Sequence, residues 1–131
     1  MLHRGGLIGC GFIASEKHLP ALAKLSDRIE LVAFCDLIEE RARKAAEQYG
    51  VEGAGVYTDH RELLKREDID VVYVLTQNSA HCALTVDALR AGKNVLCEKP
   101  MAISSEEAFL MCEEAEKSGK LLTIGYQNRY L

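Results

Sequence analysis

Short, unbroken apolar runs punctuate this chain, and longer stretches with apolar residues at helical spacing lie between them. The runs are Leu7-Ile8, which opens onto Gly9, Glu30 to Cys35, Val71 to Leu75, Asn94 to Cys97 and Leu121 to Tyr126. A weaker one emerges from Val51 to Tyr57, where Gly53 and Gly55 predict a loop leading into a short strand. β-Branched and apolar runs without alternation are what a parallel sheet buries on both faces. The intervening stretches predict helices over Ala14 to Leu25, Glu39 to Tyr49, His60 to Arg66, Ala83 to Ala91 and Ser104 to about Ser118. Pro20 should bend or segment the first, because proline lacks an N–H and crowds the preceding turn. Gly50, Gly92 and Gly119 follow three of these helices, as C-terminal glycines do.

Six strands alternating with helices make a doubly wound α/β fold with a parallel sheet. Right-handed connections then predict the strand order 3-2-1-4-5-6, with a ligand across the C-terminal ends of strands 1 and 4. No repeat or low-complexity linker interrupts the pattern.

Polar chemistry collects on that same edge. Gly9-Cys10-Gly11-Phe12-Ile13-Ala14 is a strand-to-helix turn with the spacing of a dinucleotide fingerprint, Ala14 standing in for the third glycine. Gly9 permits the turn and Gly11 lets the backbone approach a pyrophosphate, while the helix start presents unpaired N–H groups to it. A structural turn that binds nothing has the same spacing. Asp36 ends the second strand 25 positions after Gly11, near the roughly 20-residue interval at which an acid takes ribose hydroxyls. Its alternative role is to cap the next helix, with Glu39 in the capping-box place. Leu37 directly after it favours NAD, and Arg41 and Arg43 leave NADP open. The loops at Thr76 and Glu98 complete the edge, and the convergence of these features predicts a dinucleotide cleft.

The 131 residues are 48% apolar with a formal charge of −4, which fits one soluble domain and supplies no basic surplus for nucleic acid. No apolar stretch approaches the roughly 18 residues of a membrane span, and the first residues do not read as a secretory signal. The expected location is the cytoplasm. Five dispersed cysteines without a Cys-x-x-Cys pair suit neither a zinc site nor a disulfide framework, and no metal is expected.

Several segments together resemble the N-terminal domain of the glucose-fructose oxidoreductase / inositol dehydrogenase / MocA (Gfo/Idh/MocA) family. They are Ile8-Gly9-Cys10-Gly11, His18 to Leu22, Cys35-Asp36, Asp70 to Tyr73, Thr76-x-Asn78-x-x-His81, Ala91 to Pro100 and Gly125 to Arg129. The resemblance runs nearly end to end, with Glu98-Lys99-Pro100 its most diagnostic motif. It implies that Gly11, Phe12, Ile13 and Asp36 contact the adenosine and pyrophosphate half of a nicotinamide dinucleotide. Thr76, Asn78, His81, Glu98, Lys99 and Gln127 would lie near the ribose and nicotinamide. Lys99 is implied beside the reacting carbinol, where a cation orients substrate and offsets alkoxide charge. The motif also implies a cis bond before Pro100. Gln77 departs from the family's usual proline, and Gly5-Gly6 dilutes a first strand that is richer in Val and Ile elsewhere.

The resemblance implies a cofactor-binding domain over residues 1–126 of an oxidoreductase acting on a sugar or polyol. Residues 127–131 would begin the connection to a second α/β domain carrying the substrate pocket and proton-transfer groups. A non-catalytic nicotinamide-sensing module is the alternative, and a methyltransferase using S-adenosylmethionine is disfavoured by Glu98-Lys99-Pro100. Self-association through an apolar face is a further expectation.

Overall fold

The computed structural model describes residues 1–130. Strands β1 (His3–Ile8), β2 (Ile29–Cys35), β3 (Gly55–Tyr57), β4 (Val71–Val74), β5 (Asn94–Cys97) and β6 (Leu122–Ile124) form one sheet in the order 3-2-1-4-5-6. Every neighbouring pair is parallel, as the uninterrupted apolar runs require. The helices are α1 (Leu19–Ala23), α2 (Glu39–Tyr49), α3 (His60–Leu64), α4 (His81–Arg90) and α5 (Ser105–Ser118).

Alternate side chains of each strand enter opposite faces, so the sheet separates two apolar clusters. Ile8, Val72, Val74 and Cys97 meet Leu63, Val86, Leu89 and Met111 on one face. Leu7, Leu31 and Phe34 meet Ala14, Leu19, Ala42 and Ala45 on the other. The small alanines let α2 lie close to β2. Gly5 and Gly6 have a similar use: a Cβ on Gly6 would stand 3.1 Å from Leu63, and one on Gly5 3.1 Å from Ile29. The pairing register of β1 with β2 shifts between these two glycines.

Pro20 segments the first helix as expected, through a widened turn. Residues Ala14–His18 form a π-helical turn in which the Leu19 N–H donates to the Ala14 carbonyl, and Pro20 then sits in the first turn of α1. Proline is tolerated there because the first helical amides have no partner to lose. α5 is capped at its start by Ser104, whose hydroxyl accepts the Glu107 N–H at 3.2 Å, and at its end by Gly119 in the left-handed region at φ +66°.

Several boundaries differ from the sequence reading. α4 starts at His81, after a 3₁₀ turn over Asn78–Ala80. β6 is shorter than Leu121 to Tyr126, and residues Gln127–Tyr130 form another 3₁₀ turn. Of the expected 127–131 connection, Leu131 lies outside the described residues. Asp36 does not cap α2; the cap position is Ile38, without a side-chain hydrogen bond. Instead an Asp36 carboxylate oxygen accepts the Ile38 N–H at 2.9 Å, holding the residue that opens the helix. Among the described residues no helix is long and apolar enough to cross a membrane.

α3 ends at Leu64 rather than Arg66, and the Arg66 side chain turns back to brace the sheet. Its Nε and a terminal nitrogen donate to the two oxygens of Asp68 at 2.9 and 2.7 Å, and its other terminal nitrogen donates to the Val32 carbonyl at 2.9 Å. The Arg66 guanidinium therefore holds the Asp68 carboxyl below its ordinary value of 3.8. A carboxylate depressed in the folded state adds stability above its unfolded pKa and loses it as pH falls through the folded one. Asp68→Asn should accordingly lower the Tm at neutral pH, with the gap closing progressively as pH falls below 3.8. Thermal melts across that range check the sign, and a constant gap would contradict the assignment.

Candidate functional site

The site is built at the C-terminal ends of β1 and β4, where the chain diverges to the two sides of the sheet. Gly9 leaves β1 with φ +99°, a region that side chains with a Cβ rarely enter. A Cβ there would also lie 2.5 Å from the Leu75 carbonyl oxygen. Glycine is required on both counts. At Gly11 the opposite holds: the atom nearest to an added Cβ would be an Arg41 guanidinium nitrogen at 3.7 Å, so the backbone faces open space.

A cleft of about 450 Å³ opens beside this turn. Ile8, Gly9 and Gly11 form one wall, Asp36, Leu37 and Ile38 another, and Leu75, Thr76 and Gln77 the side towards β4. Cys35, Arg41, Thr58, His60, Ala80 and Leu84 complete the lining. Mostly apolar walls with a few fixed polar groups are the usual makeup of a small-molecule site.

Asp36 is fixed on both oxygens. Oδ2 accepts the Cys10 N–H of the glycine turn at 2.8 Å, and Oδ1 accepts the Ile38 N–H. Each carboxylate oxygen keeps a further lone pair for a ligand hydroxyl. Cys10 and Cys35 lie close by, and their thiols are pushed up to about 12 and about 11 by burial first and then by the Asp36 charge. Neither forms a thiolate near neutral pH, which removes them as nucleophiles.

The other expected residues fall in three groups. Thr76 lines the cleft, while Asn78 is exposed on the 3₁₀ turn between Gln77 and Ala80. Lys99 and Gln127 share a second hollow of about 430 Å³ with Tyr126, Asn128 and Arg129. The peptide bond between Lys99 and Pro100 is cis. Phe12 projects into solvent at 77% exposure beside Arg41 and Lys44, whereas Ile13 packs inward against the cluster that holds Leu7 and Leu19.

His81 lies between the loops after β4 and β5. It is fully buried, with Nδ1 2.7 Å from the Pro100 carbonyl and Nε2 3.0 Å from the Thr76 carbonyl. It ties the loop after β4 to the loop after β5, with both ring nitrogens against these carbonyls. Glu98 also turns inward. Oε2 accepts the Lys99 N–H at 2.9 Å and Oε1 lies 2.8 Å from His18 Nε2. The sequence reading gave His18 no site role. Its only signal was a place within the His18 to Leu22 motif, and its partner lies 80 residues away.

A model of an oxidoreductase family with an NAD-binding Rossmann fold, GFO_IDH_MocA, matches residues 3–126. The chain belongs to this Gfo/Idh/MocA family. Inositol 2-dehydrogenase of Salmonella typhimurium is 37% identical over a match that covers 99% of this chain and 38% of that protein. The WlbA dehydrogenase of Bordetella pertussis, solved with NADH and UDP-GlcNAcA, superposes with a TM-score of 0.90 at 30% identity. That match covers 98% of this chain and 37% of the other. KijD10, a 3-ketoreductase from Actinomadura kijaniata solved with NADP and TDP-benzene, gives a TM-score of 0.90 at 33% identity, covering 100% of this chain and 39% of that one. The chain thus spans little more than a third of the length of these relatives.

As a Gfo/Idh/MocA domain, the chain is an NAD(P)-binding Rossmann unit, in agreement with the fingerprint at Gly9 and Gly11. Gln77, where the family usually shows proline, keeps a proline-compatible backbone at φ −65° and ψ 152°.

Gly9→Ala tests the turn on which the cleft depends. Left-handed strain and the Leu75 contact should together cost about 2 kcal/mol or more of stability. Urea denaturation measures this directly. A loss of only a few tenths of a kcal/mol would mean that the turn can rearrange.

Proposed function

We propose that this chain binds NAD(H) as the cofactor domain of an oxidoreductase that transfers hydride to or from a sugar, polyol or related carbinol. The observation that carries the reading is the joint placement of the open backbone at Gly11 and the fixed Asp36 carboxylate on one cleft. The backbone at Gly11 and the first amides of the following helix would receive the pyrophosphate, with no side chain between. The remaining lone pairs of Asp36 would accept the adenosine ribose hydroxyls. Leu37, Ile38 and Leu84 supply apolar surface around that end. When bound, the nicotinamide supplies or accepts the hydride.

Thr76 and Gln77 border the cleft on the β4 side, towards Lys99 and Gln127 beyond. Lys99 is exposed at the rim of the second hollow. Its ammonium there would orient a carbinol oxygen and stabilise negative charge as that oxygen becomes an alkoxide. His81 would act through the two loops that it ties rather than by touching cofactor. Asn78 would contribute from the exposed rim.

The fixed charge of Asp36 favours NAD over NADP, since a 2'-phosphate would bring a second negative charge beside it. Arg41, next to Gly11, is the cation that would moderate this repulsion. The substrate class is supported by the inositol and nucleotide-sugar enzymes among the relatives. A reducing cytoplasm suits the five free thiols.

Calorimetric titration of the chain with NADH and NADPH, repeated on Asp36→Asn, tests this reading. The variant should lose about tenfold in NADH affinity, or about 1.4 kcal/mol, as expected for one charge-assisted hydrogen bond. NADPH should lose less, so that the preference narrows. Equal NADH affinity in parent and variant would refute the role of Asp36.

A further inference from the structure

The hydrogen bonds of Glu98 form a relay that the cofactor reading leaves unused. Both partners of the His18–Glu98 contact are largely withdrawn from solvent, with side-chain exposures of 17% and 15%. A carboxylate oxygen only accepts, so His18 Nε2 carries the hydrogen and donates it across 2.8 Å. The second oxygen accepts the Lys99 N–H. His18 is held in turn by Tyr73 of β4, which it meets edge to face at a ring separation of 6.4 Å. It occupies the last position of the π-helical turn that follows the glycine turn. The relay therefore runs from the end of β1, over β4, to the backbone of Lys99 beyond β5.

We propose that His18 is a positioning residue for Lys99. Its imidazole fixes the Glu98 carboxylate, the carboxylate fixes the Lys99 amide, and the amide sets where the Lys99 ammonium stands. The inference rests on the reading of Lys99 as the cation beside the reacting carbinol. It goes beyond that reading by assigning a donor outside the Glu98-Lys99-Pro100 motif. Packing against Tyr73 alone would be satisfied by an apolar side chain of similar size. Positioning requires the hydrogen-bond donor, and this difference separates the two roles.

The test uses the full 131-residue chain with His18→Leu, which keeps bulk and removes the donor, and His18→Gln, whose amide nitrogen can reach the place of Nε2. Amide hydrogen exchange at Lys99 is measured without nucleotide. NADH affinity is then measured alongside protection of the Lys99 amine from acetic anhydride by bound NADH. The leucine variant should accelerate Lys99 exchange about tenfold, as for the loss of one hydrogen bond to a charged group, with exchange in β2 unchanged. The glutamine variant should recover most of that loss. NADH should bind the leucine variant within about twofold of the parent while its protection of Lys99 falls, and the glutamine variant should regain it. Parent-like exchange in the leucine variant, or a glutamine variant no better than leucine, would overturn the proposal. Failure of the parent to bind NADH would instead remove the hydride-transfer reading. The exchange measurement would then decide alone whether His18 positions Lys99.

Discussion

The close approach of two backbones at Gly9 is the constraint on which this edge of the molecule depends. The Gly9 N–H donates to the Cys35 carbonyl at 2.8 Å, and the Leu75 N–H donates to the Ile8 carbonyl at 2.8 Å. β1 is thus still paired on both sides when it turns, and the turn is made against the Leu75 carbonyl without room for a side chain. Because β2 lies on one side of β1 and β4 on the other, the connections leave towards opposite halves of the sheet. The cleft is the space between them, as expected where a doubly wound sheet reverses its strand order.

Loops at such an edge need restraint if they are to hold reacting groups in place, and here three side chains provide it, Asp36 and His81 on backbone atoms and His18 on the Glu98 carboxylate. Asp36 joins the glycine turn to the start of α2. His81 joins the loop after β4 to the loop after β5, and His18 joins the first helical turn to Glu98 and hence to Lys99. Each links segments that are far apart in sequence and adjacent on the sheet edge. Order built in before binding reduces the cost of binding and fixes the geometry in which a reaction can occur. Lys99 itself stays exposed, and the restraint reaches it through its backbone amide.

The strands, their order and the glycine turn were legible because they rest on local chemistry. The β-branched run that opens at Val71 has the composition of a strand in a parallel sheet, and Gly9 at the end of an apolar run marks a tight turn. Asp36 was legible as a polar group on the cleft, but its two backbone tethers were not, because amides carry no signature in sequence. The same reason hid the position of His81, whose partners are two carbonyls. His18 was hidden by distance, and by the π-helical turn that carries it. Pro20 announced a break in the helix without saying where the widened turn would fall. The early end of α3 goes with a tertiary contact, the reach of Arg66 to Val32, that local propensity does not contain.

The central claim is that one nicotinamide dinucleotide lies along this edge, from Asp36 across the glycine turn to Lys99. The most direct measurement is a ¹H–¹⁵N NMR titration of the chain with NADH. The account predicts that the amides of Gly9, Gly11, Ile38, Thr76 and Lys99 shift together along one binding curve, while those at the opposite ends of the strands, such as Arg4 and Asp70, stay fixed. Shifts confined to residues away from this edge, or no saturable shifts at all, would contradict it.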